Sequence, residues 1–441
     1  MASSVQRVRE AARRHSKRFE ESIPLIASEN LLSPYAKELL ISDLHSRYAE
    51  GLPGERYYEG NEEVDLIERE CLELARTLFR CRWADVRPIS GTVANLAVLK
   101  ALAEAGAPVG TARLANGAHI SSAGFGAFGL RSVKPVHYAW DEARMTLDVE
   151  GTRRILRESR PRLCLFGLSL FLFPLPIAEL ADTLEEIGAV GWYDAAHVLG
   201  LIAGGVFQDP LREGCQVMSA STHKTLPGPQ HGILLADTDD PELEKRLTSA
   251  AFPGVTSNHH LHAMAALAVS LAEHRAFGAE YARRVVENAR ALGAALYERG
   301  FDVLAPDLGF TQSHTLAVRV AREGGGAPAA RRLAEAGIIT NKNLLPGDTS
   351  PKHPQGIRLG TPEVTRVGMG PKEMVRIAEL LEALLHRDRP AAEVRAQAAE
   401  LKRPFTTLRY CFGAGEAAYR YYDLVGHPPA SGPAGNVVRP S

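Results

Sequence analysis

The stretches AVGWYDAAHVLG at residues 189–200 and CQVMSASTHK at residues 215–224 follow one plan. In each, an apolar run of strand length ends on polar side chains, which include Asp194 in the first and Lys224 in the second. The two residues are 30 positions apart, about the length of one strand, crossover and strand. Because parallel strands joined in this way end at the same sheet edge, where ligands bind in open sheets, we expect Asp194 and Lys224 to share a site.

Helical and strand-like patterns alternate around this pair. ANLAVLKALAEAG at 94–106 and IAELADTLEEIG at 177–188 have helical apolar spacing, and RLCLFGLSLFLF at 162–173 is a candidate buried strand. This order predicts an α/β fold with a mostly parallel sheet between helices. From about residue 270 long helical patterns dominate around one strand candidate, HTLAVRV at 314–320, which predicts a smaller α+β domain.

We therefore expect two folded domains, with a helical arm before them and a disordered tail after them. The expected parts are an N-terminal helical arm at 1–27, a large domain at 28–278, a small C-terminal domain at 279–425 and a disordered tail at 426–441. The tail is predicted from its richness in Gly, Pro and Ser, a composition that cannot form a packed core.

The bulk composition excludes several classes of protein. The 51 basic and 52 acidic residues give a net charge of −1, which argues against an extended surface for nucleic acid or anionic membranes. The five cysteines form no CxxC pair and no metal-binding spacing, which suits reduced thiols and predicts no metal site. Without an apolar stretch suited to a signal peptide or a membrane span, we expect a cytoplasmic protein.

Lys224 has two interpretations, which the decapeptide STHKTLPGPQ at 221–230 does not separate. It is either an exposed loop residue or a nucleophile that forms an imine with an aldehyde cofactor, since partial burial lowers the pKa of an amine. Ser90, Gly91 and Thr92 stand before a predicted helix and could hold a phosphate, although a plain N-cap has the same residues.

Two further features favour the cofactor. Asp194 could pair with a protonated pyridine nitrogen, with His197 near the ring oxygen, although an acidic helix cap is the simpler alternative for Asp194 alone. The segment YAEGLPGERYYEG at 48–60 crowds three tyrosines around Glu50. A solvated loop rarely has this composition, which is typical of a site loop.

These stretches, together with LIASEN, SGTVAN, DAAHVLGLIAGGV, AAFPG, GIITNKNLLP and GIRLGTPEVTRVGM, resemble the serine hydroxymethyltransferase family in the same order. The resemblance covers residues from about 23 to about 385. It implies the fold type I of pyridoxal-phosphate enzymes, like that of aspartate aminotransferase. It also implies pyridoxal 5'-phosphate as cofactor, tetrahydrofolate as a possible co-substrate, and a homodimer or tetramer whose subunits share active sites. In such an assembly the neighbouring subunit would supply the tyrosine/glutamate loop and the loop after AAFPG.

The resemblance also assigns roles to residues. Lys224 would attach the cofactor, Asp194 would pair with its ring nitrogen, and His119 would stack on the ring. Arg358 would bind the amino-acid carboxylate, and Glu50 would be the acid/base group near the β-hydroxyl. The other implied contacts are those to the cofactor from Ser90, Gly91, Thr92, Ser169, His197, His223, Ser257 and Asn258, those to the amino acid from Ser28, Tyr48 and Tyr58, and those to folate from Tyr57, Leu114 and Asn343.

Several positions depart from the family pattern. These are Ile89 for a usual histidine, GAH at 117–119 for GGH, Gln230 for an arginine, GVTSNHH at 254–260 for a glycine-rich loop, GFTQSH at 309–314, and Lys352 about where an aromatic residue is usual. In the glycine-rich loop backbone N–H groups reach the partner subunit's phosphate, and here Ser257 and Asn258 could donate instead.

The departures leave two expected activities. GPQ, TSN and GFTQSH resemble the threonine transaldolases, which transfer aldehydes without folate, whereas Glu50, Tyr57, Leu114 and Asn343 match folate-contacting positions of the hydroxymethyltransferases. We expect a specialised hydroxymethyltransferase-like aldol enzyme of secondary metabolism, with a folate-independent L-threonine transaldolase as the alternative. A scaffold without catalysis is disfavoured because Lys224 and Asp194 are both present.

Overall fold

The computed structural model describes residues 2–348, 350 and 352–424. The tail expected at 426–441 lies outside the described residues. Among the described helices, none combines the length and apolar content that a membrane span requires.

Short strands alternate with helices through the first 240 residues. In chain order the strands are β1 (Ile23–Pro24), β2 (Gly51–Leu52), β3 (Glu55–Arg56), β4 (Trp83–Asp85), β5 (Pro108–Thr111), β6 (Lys134–His137), β7 (Trp140–Asp141), β8 (Thr146–Leu147), β9 (Leu163–Phe166), β10 (Val190–Asp194), β11 (Val217–Ser221), β12 (Gly232–Ala236), β13 (Asp302–Val303), β14 (Thr315–Arg319), β15 (Ile338–Ile339), β16 (Asn341–Asn343) and β17 (Gly356–Gly360). The helices are α1 (Ala2–Glu20), α2 (Pro34–Leu40), α3 (Glu62–Phe79), α4 (Gly91–Leu102), α5 (Ala127–Leu130), α6 (Val149–Ser159), α7 (Ile177–Ile187), α8 (Leu199–Ala203), α9 (Pro241–Ser249), α10 (Leu261–Glu298), α11 (Gly326–Glu335), α12 (Pro362–Arg366), α13 (Pro371–Leu385) and α14 (Ala391–Lys402).

The main sheet has seven strands in the order β4-β12-β11-β10-β9-β5-β6. Only β12 runs antiparallel to its neighbours, which confirms the predicted mostly parallel sheet. Successive strand residues enter opposite cores, as Trp192 and Tyr193 do, because side chains alternate across a strand. Helices cover both faces, so β10 and β11 are almost entirely buried, and they end at a common edge.

A second sheet of four antiparallel strands, β13-β14-β17-β16, carries its own core. The N-terminal strand joins this side of the molecule: Ile23 pairs with Ile338, and Ile23 and Leu25 are buried in the same core. The expected boundary between residues 278 and 279 falls inside α10, a continuous helix of 38 residues that contacts α3 and α8 as well as strands β13 and β14 of the second sheet.

One predicted strand is shorter than expected. Of the apolar run 162–173, only Leu163–Phe166 forms a strand, β9. The loop after it buries Leu170, Leu172 and Phe173 in a small cluster that includes Ala317 of β14. These apolar residues therefore fill the space between the two sheets. In the sequence, an apolar run that is buried in a loop looks the same as one that is buried in a strand.

Candidate active site

The two strand ends meet as the spacing predicts. Asp194 is the last residue of β10 and pairs with Ser219 of the parallel strand β11, and Lys224 follows the end of β11 by three residues. The Lys224 Nζ donates a hydrogen bond of 2.7 Å to Ser221 Oγ. Asn30 Nδ2 donates to the carbonyl oxygen of Lys224 at 2.6 Å, which holds the lysine backbone against the turn after β1.

The surroundings of Lys224 lower the pKa of its amine. Burial lowers the pKa of Lys224 to about 8, and the charge of Arg358 acts in the same direction, while Asp194 opposes both. A neutral amine is a nucleophile, whereas an ammonium group is not. The environment therefore favours covalent chemistry at this lysine over a merely structural role.

Two histidines stand beside the pair in neutral form. Burial lowers the pKa of His119, and it lowers the pKa of His197 well below the ordinary value. The Nδ1 of His119 accepts the backbone N–H of Ser121 at 3.1 Å, and the His197 ring stacks on that of His314 with centroids 5.6 Å apart. Neutral rings in fixed orientations suit contact with a flat aromatic group.

The predicted phosphate site lies at the start of α4. Ser90 is the N-cap, and its Oγ accepts the Val93 N–H at 3.2 Å. A Cβ at Gly91 would lie 3.0 Å from the backbone nitrogen of Ser221, so only glycine lets the helix approach the end of β11 so closely. The free N–H groups and dipole of a helix start attract an anion to this point.

A cavity of about 140 Å³ joins these groups. Its lining contains all the residues predicted to hold the cofactor from within one chain: Ser90, Gly91, Thr92, His119, Ser169, Asp194, His197, His223 and Lys224. Within the described part of the chain, the buried Ser169 Oγ and His223 Nδ1 have no hydrogen-bond partner. Buried polar atoms are rarely left so, and a ligand with several acceptor oxygens would satisfy both.

A second cavity, of about 790 Å³, shares Lys224 with the first and adds Ser28 and Arg358. Arg358 Nη1 donates to the Ser169 carbonyl at 2.8 Å, and no carboxylate of the described residues forms an ion pair with it. Burial lowers the pKa of Arg358 to about 10. A buried guanidinium without a counter-ion faces the cavity and is suited to a ligand carboxylate.

The remaining predicted residues lie elsewhere in this chain. Neither cavity is lined by the tyrosine/glutamate loop, by the 254–260 loop or by the predicted folate contacts Leu114 and Asn343. Tyr48 and Tyr58 pack against each other with ring centroids 5.6 Å apart, and Tyr57 is 76% exposed. Within one chain, the predicted site residues therefore form two groups that are separate in space.

The two separate loops are fastened to one another. Asn258 Oδ1 accepts the Ala49 N–H at 3.0 Å, and Asn258 Nδ2 donates to the Arg47 carbonyl at 3.1 Å. Behind them Glu68 accepts from Arg56 at 2.6 Å and lies 3.1 Å from His259. Burial by itself would raise the pKa of Glu68, but His259 and Arg56 outweigh it and lower that pKa. The loops thus form one rigid unit.

Sequence reasoning missed the residues that orient the site. Asn95 donates to Asp194 Oδ2 at 2.7 Å, and Asn30 and Ser221 hold Lys224. Asn95 and Asn30 each close a quoted motif, SGTVAN and LIASEN, so their positions were visible. Their roles were not, because each acts on a residue far away in the chain.

Comparison with known proteins now places the chain. The sequence model described as "Serine hydroxymethyltransferase" matches residues 1–381. The chain belongs to the serine hydroxymethyltransferase family. Relatives with that name include proteins of Picrophilus torridus, 51% identical over 408 residues, and of Thermoplasma acidophilum, 51% identical over 420 residues. These alignments cover 92% and 95% of this chain and 94% and 98% of the relatives.

A third relative, "Serine hydroxymethyltransferase" of Methanopyrus kandleri, is 48% identical over 95% of this chain and 97% of its own. Membership confirms the predicted family, the fold type I and a pyridoxal-phosphate-dependent hydroxymethyltransferase. The family uses pyridoxal phosphate together with tetrahydrofolate as co-substrate. The inner cavity fits that cofactor, since it offers an amine, a carboxylate, a helix start and two unpartnered polar atoms.

The pKa of Lys224 sets an expected pH profile for cofactor loading. Because that pKa is lowered to about 8, the neutral amine should increase steeply through this pH in cofactor-free protein, well below the range of ordinary lysines. The rate of pyridoxal phosphate incorporation, followed by visible absorbance, should therefore be half-maximal near pH 8. A profile that still rises steadily beyond pH 10 would contradict this electrostatic environment.

Proposed function

We propose that the protein moves a hydroxymethyl group between serine and glycine, with tetrahydrofolate carrying the one-carbon unit. The observation that carries the proposal is the buried Arg358, which has no carboxylate partner among the described residues and lines one cavity together with Lys224, beside Asp194. The names of the relatives support this reaction. The comparisons lend no support to a specialised role in secondary metabolism or to a transaldolase.

Arg358 and Ser28 are proposed to bind the carboxylate of the amino acid. A planar guanidinium fixes a carboxylate through two parallel hydrogen bonds and so sets the orientation of the bonds around the α-carbon. Bound pyridoxal phosphate supplies an electron sink for charge that develops at that carbon. With the cofactor bound, Asp194 would hold a proton at the ring nitrogen, His119 would cover the ring face, and the Lys224 amine would attach the cofactor and exchange a proton with the substrate.

We propose that the tyrosine/glutamate loop completes the site of a second subunit. Tyr48, Tyr57 and Tyr58 are 52%, 76% and 46% exposed, although aromatic side chains of this size are usually covered. The loop is rigidly tied to Asn258 and is separate from the cavity of its own chain. A two-fold dimer would place Glu50 beside the partner's serine hydroxyl and Ser257 and Asn258 near its phosphate.

A mixing experiment tests this sharing. Lys224→Ala and Glu50→Gln each inactivate every site in their own homodimers. When the two variants are mixed and reassembled at random, half of the dimers are hybrids with one intact site, so about a quarter of wild-type activity should return. Each variant alone, taken through the same reassembly, is the control. If Glu50 served its own subunit, the mixture would stay inactive.

The reaction itself is tested with purified enzyme and two substrate sets. Serine should be converted to glycine at a rate that depends on tetrahydrofolate concentration, measured by glycine formation. In the second set, L-threonine and an acceptor aldehyde are supplied without folate. Folate-independent acetaldehyde release that is faster than serine cleavage would replace the proposed reaction with the transaldolase alternative. Conversion in neither set would contradict both.

A cytoplasmic location is also proposed. All five cysteines are buried and free of disulfides. Such thiols are typical of proteins in a reducing compartment. Fractionation of the source cells with an antibody to the full chain would test it, and recovery outside the cytoplasm would contradict it.

A further inference from the structure

A chain of buried polar side chains leads from the main-sheet core to the cofactor cavity. Trp192, Ser219 and Asn95 are at most 3% exposed, and Asn95 lines the inner cavity beside Asp194. Buried polar groups in such a chain require partners of the correct donor or acceptor type. The direction of each hydrogen bond can therefore be worked out from Trp192 onward.

Donor and acceptor counting leaves one arrangement. The indole N–H of Trp192 can only donate, and it lies 2.7 Å from Ser219 Oγ. The Ser219 hydroxyl therefore directs its own proton to Asn95 Oδ1, also at 2.7 Å. With its oxygen committed to Ser219, Asn95 must present its amino group to Asp194, where Nδ2 lies 2.7 Å from Oδ2.

The same amino group reaches the second ring contact. Asn95 Nδ2 lies 3.3 Å from Ser121 Oγ, which lies 2.8 Å from His119 Nδ1. Since Ser121 accepts from Asn95, its hydroxyl proton points to His119. Nδ1 of His119 also accepts the backbone N–H of Ser121 at 3.1 Å, so it is an acceptor whichever way that hydroxyl turns, and the ring proton sits on Nε2.

Asn95 also shares a helix with the phosphate site. It lies in the second turn of α4, whose first turn carries Ser90, Gly91 and Thr92. The other Asp194 oxygen accepts the Ala196 N–H at 3.0 Å, so both carboxylate oxygens have defined partners. One rigid element thus joins the phosphate end of the cavity to the residues expected at the ring.

We propose that Asn95 is a positioning residue that aligns Asp194 directly and, through the Ser121 hydroxyl, holds His119 in place for the bound cofactor ring. This inference rests on the roles proposed above for those two residues. Asn95 does not touch the substrate. It acts by holding a carboxylate and an imidazole in one orientation, since the relay back to Trp192 prevents its amide from turning over.

The test uses the full-length holoenzyme and the shape-conserving variant Asn95→Leu, which removes the hydrogen bonds of this side chain with Asp194, Ser121 and Ser219. We expect the dissociation constant for pyridoxal phosphate to rise about 10- to 100-fold, the range for partners that orient ligand-binding residues. The pH midpoint of the visible absorption of bound cofactor should also shift. Asn95→Gln, which keeps an amide, should restore part of both properties.

Two comparisons make the result decisive. Ser219→Ala frees the Asn95 amide to rotate, so the cofactor dissociation constant and the absorption midpoint should change in the same direction by smaller amounts. This variant replaces Asn95→Leu in the test if Asn95→Leu does not fold. Asn288→Leu removes another fully buried asparagine, which bonds Thr365 and Met369 away from the cavities. It should lower the melting temperature without moving the absorption midpoint.

Unchanged affinity and an unchanged midpoint in Asn95→Leu, or in Ser219→Ala where only that variant folds, would overturn the inference. Asp194→Asn separates this failure from a failure of the proposed function. If Asp194→Asn moves the absorption midpoint and the Asn95 and Ser219 variants do not, only the positioning role is wrong. If Asp194→Asn also leaves the spectrum unaltered, both proposals are overturned.

Discussion

Replacing Lys224 with alanine is expected to abolish stable cofactor attachment and to reduce serine cleavage at least about a thousandfold, the scale of a lost nucleophile and proton carrier. The reason is that the lowered pKa of Lys224 makes a neutral amine available after the end of β11. No other lysine lines the inner cavity in the described chain. Visible absorbance after dialysis and initial rates of glycine formation measure the two effects.

Lys134→Ala is the matched control, because Lys134 is an exposed residue of the edge strand β6. It should retain both absorbance and activity. The melting temperature of Lys224→Ala should stay close to that of the wild type, since a desolvated ammonium contributes little to folding. If Lys224→Ala kept the absorbance through dialysis, the attachment point would have to be another residue.

The second large effect is expected at Arg358. Arg358→Ala should raise the dissociation constant for glycine about a hundredfold or more, because it removes the buried partner of a carboxylate. Its melting temperature should be unchanged or higher, since the free protein loses a buried charge that has no counter-ion among the described residues. Arg358→Lys keeps the charge without the planar guanidinium, so its dissociation constant for glycine should lie between those of the wild type and Arg358→Ala.

Arg366 is the matched comparison for this prediction. It is 1% exposed, lies 3.6 Å from Glu273 and donates to the backbone oxygens of Leu31 and Tyr410. Arg366→Leu would strand a buried carboxylate, so the melting temperature should fall while glycine affinity is retained. Calorimetric titration with glycine measures the affinity of both variants, and thermal unfolding measures their melting temperatures. Equal glycine affinity in Arg358→Ala and wild type would remove the carboxylate role.

Local patterns were sufficient for the elements of the fold. The helix predicted at 177–188 is α7, Ile177–Ile187, because Gly188 adopts a left-handed conformation that ends it. The strand predicted at 162–173 was too long, because Leu170 and Leu172 pack beneath the second sheet. Apolar character marks a residue as buried, but it does not say which neighbour buries it.

The sequence by itself determined the fold type, the meeting of Asp194 with Lys224, and the family motifs in their order. The α/β class and the meeting of the two residues follow from short-range periodicity and from spacing along one crossover, whereas the fold type was implied by the resemblance of the motifs to the family. Only the tertiary structure decided that Asn95 donates to Asp194 and that Arg358 has no carboxylate partner among the described residues. Asn95 and Asp194 are 99 residues apart. Contacts of this kind arise from packing across the sheet, where distance in the chain carries no information about distance in space.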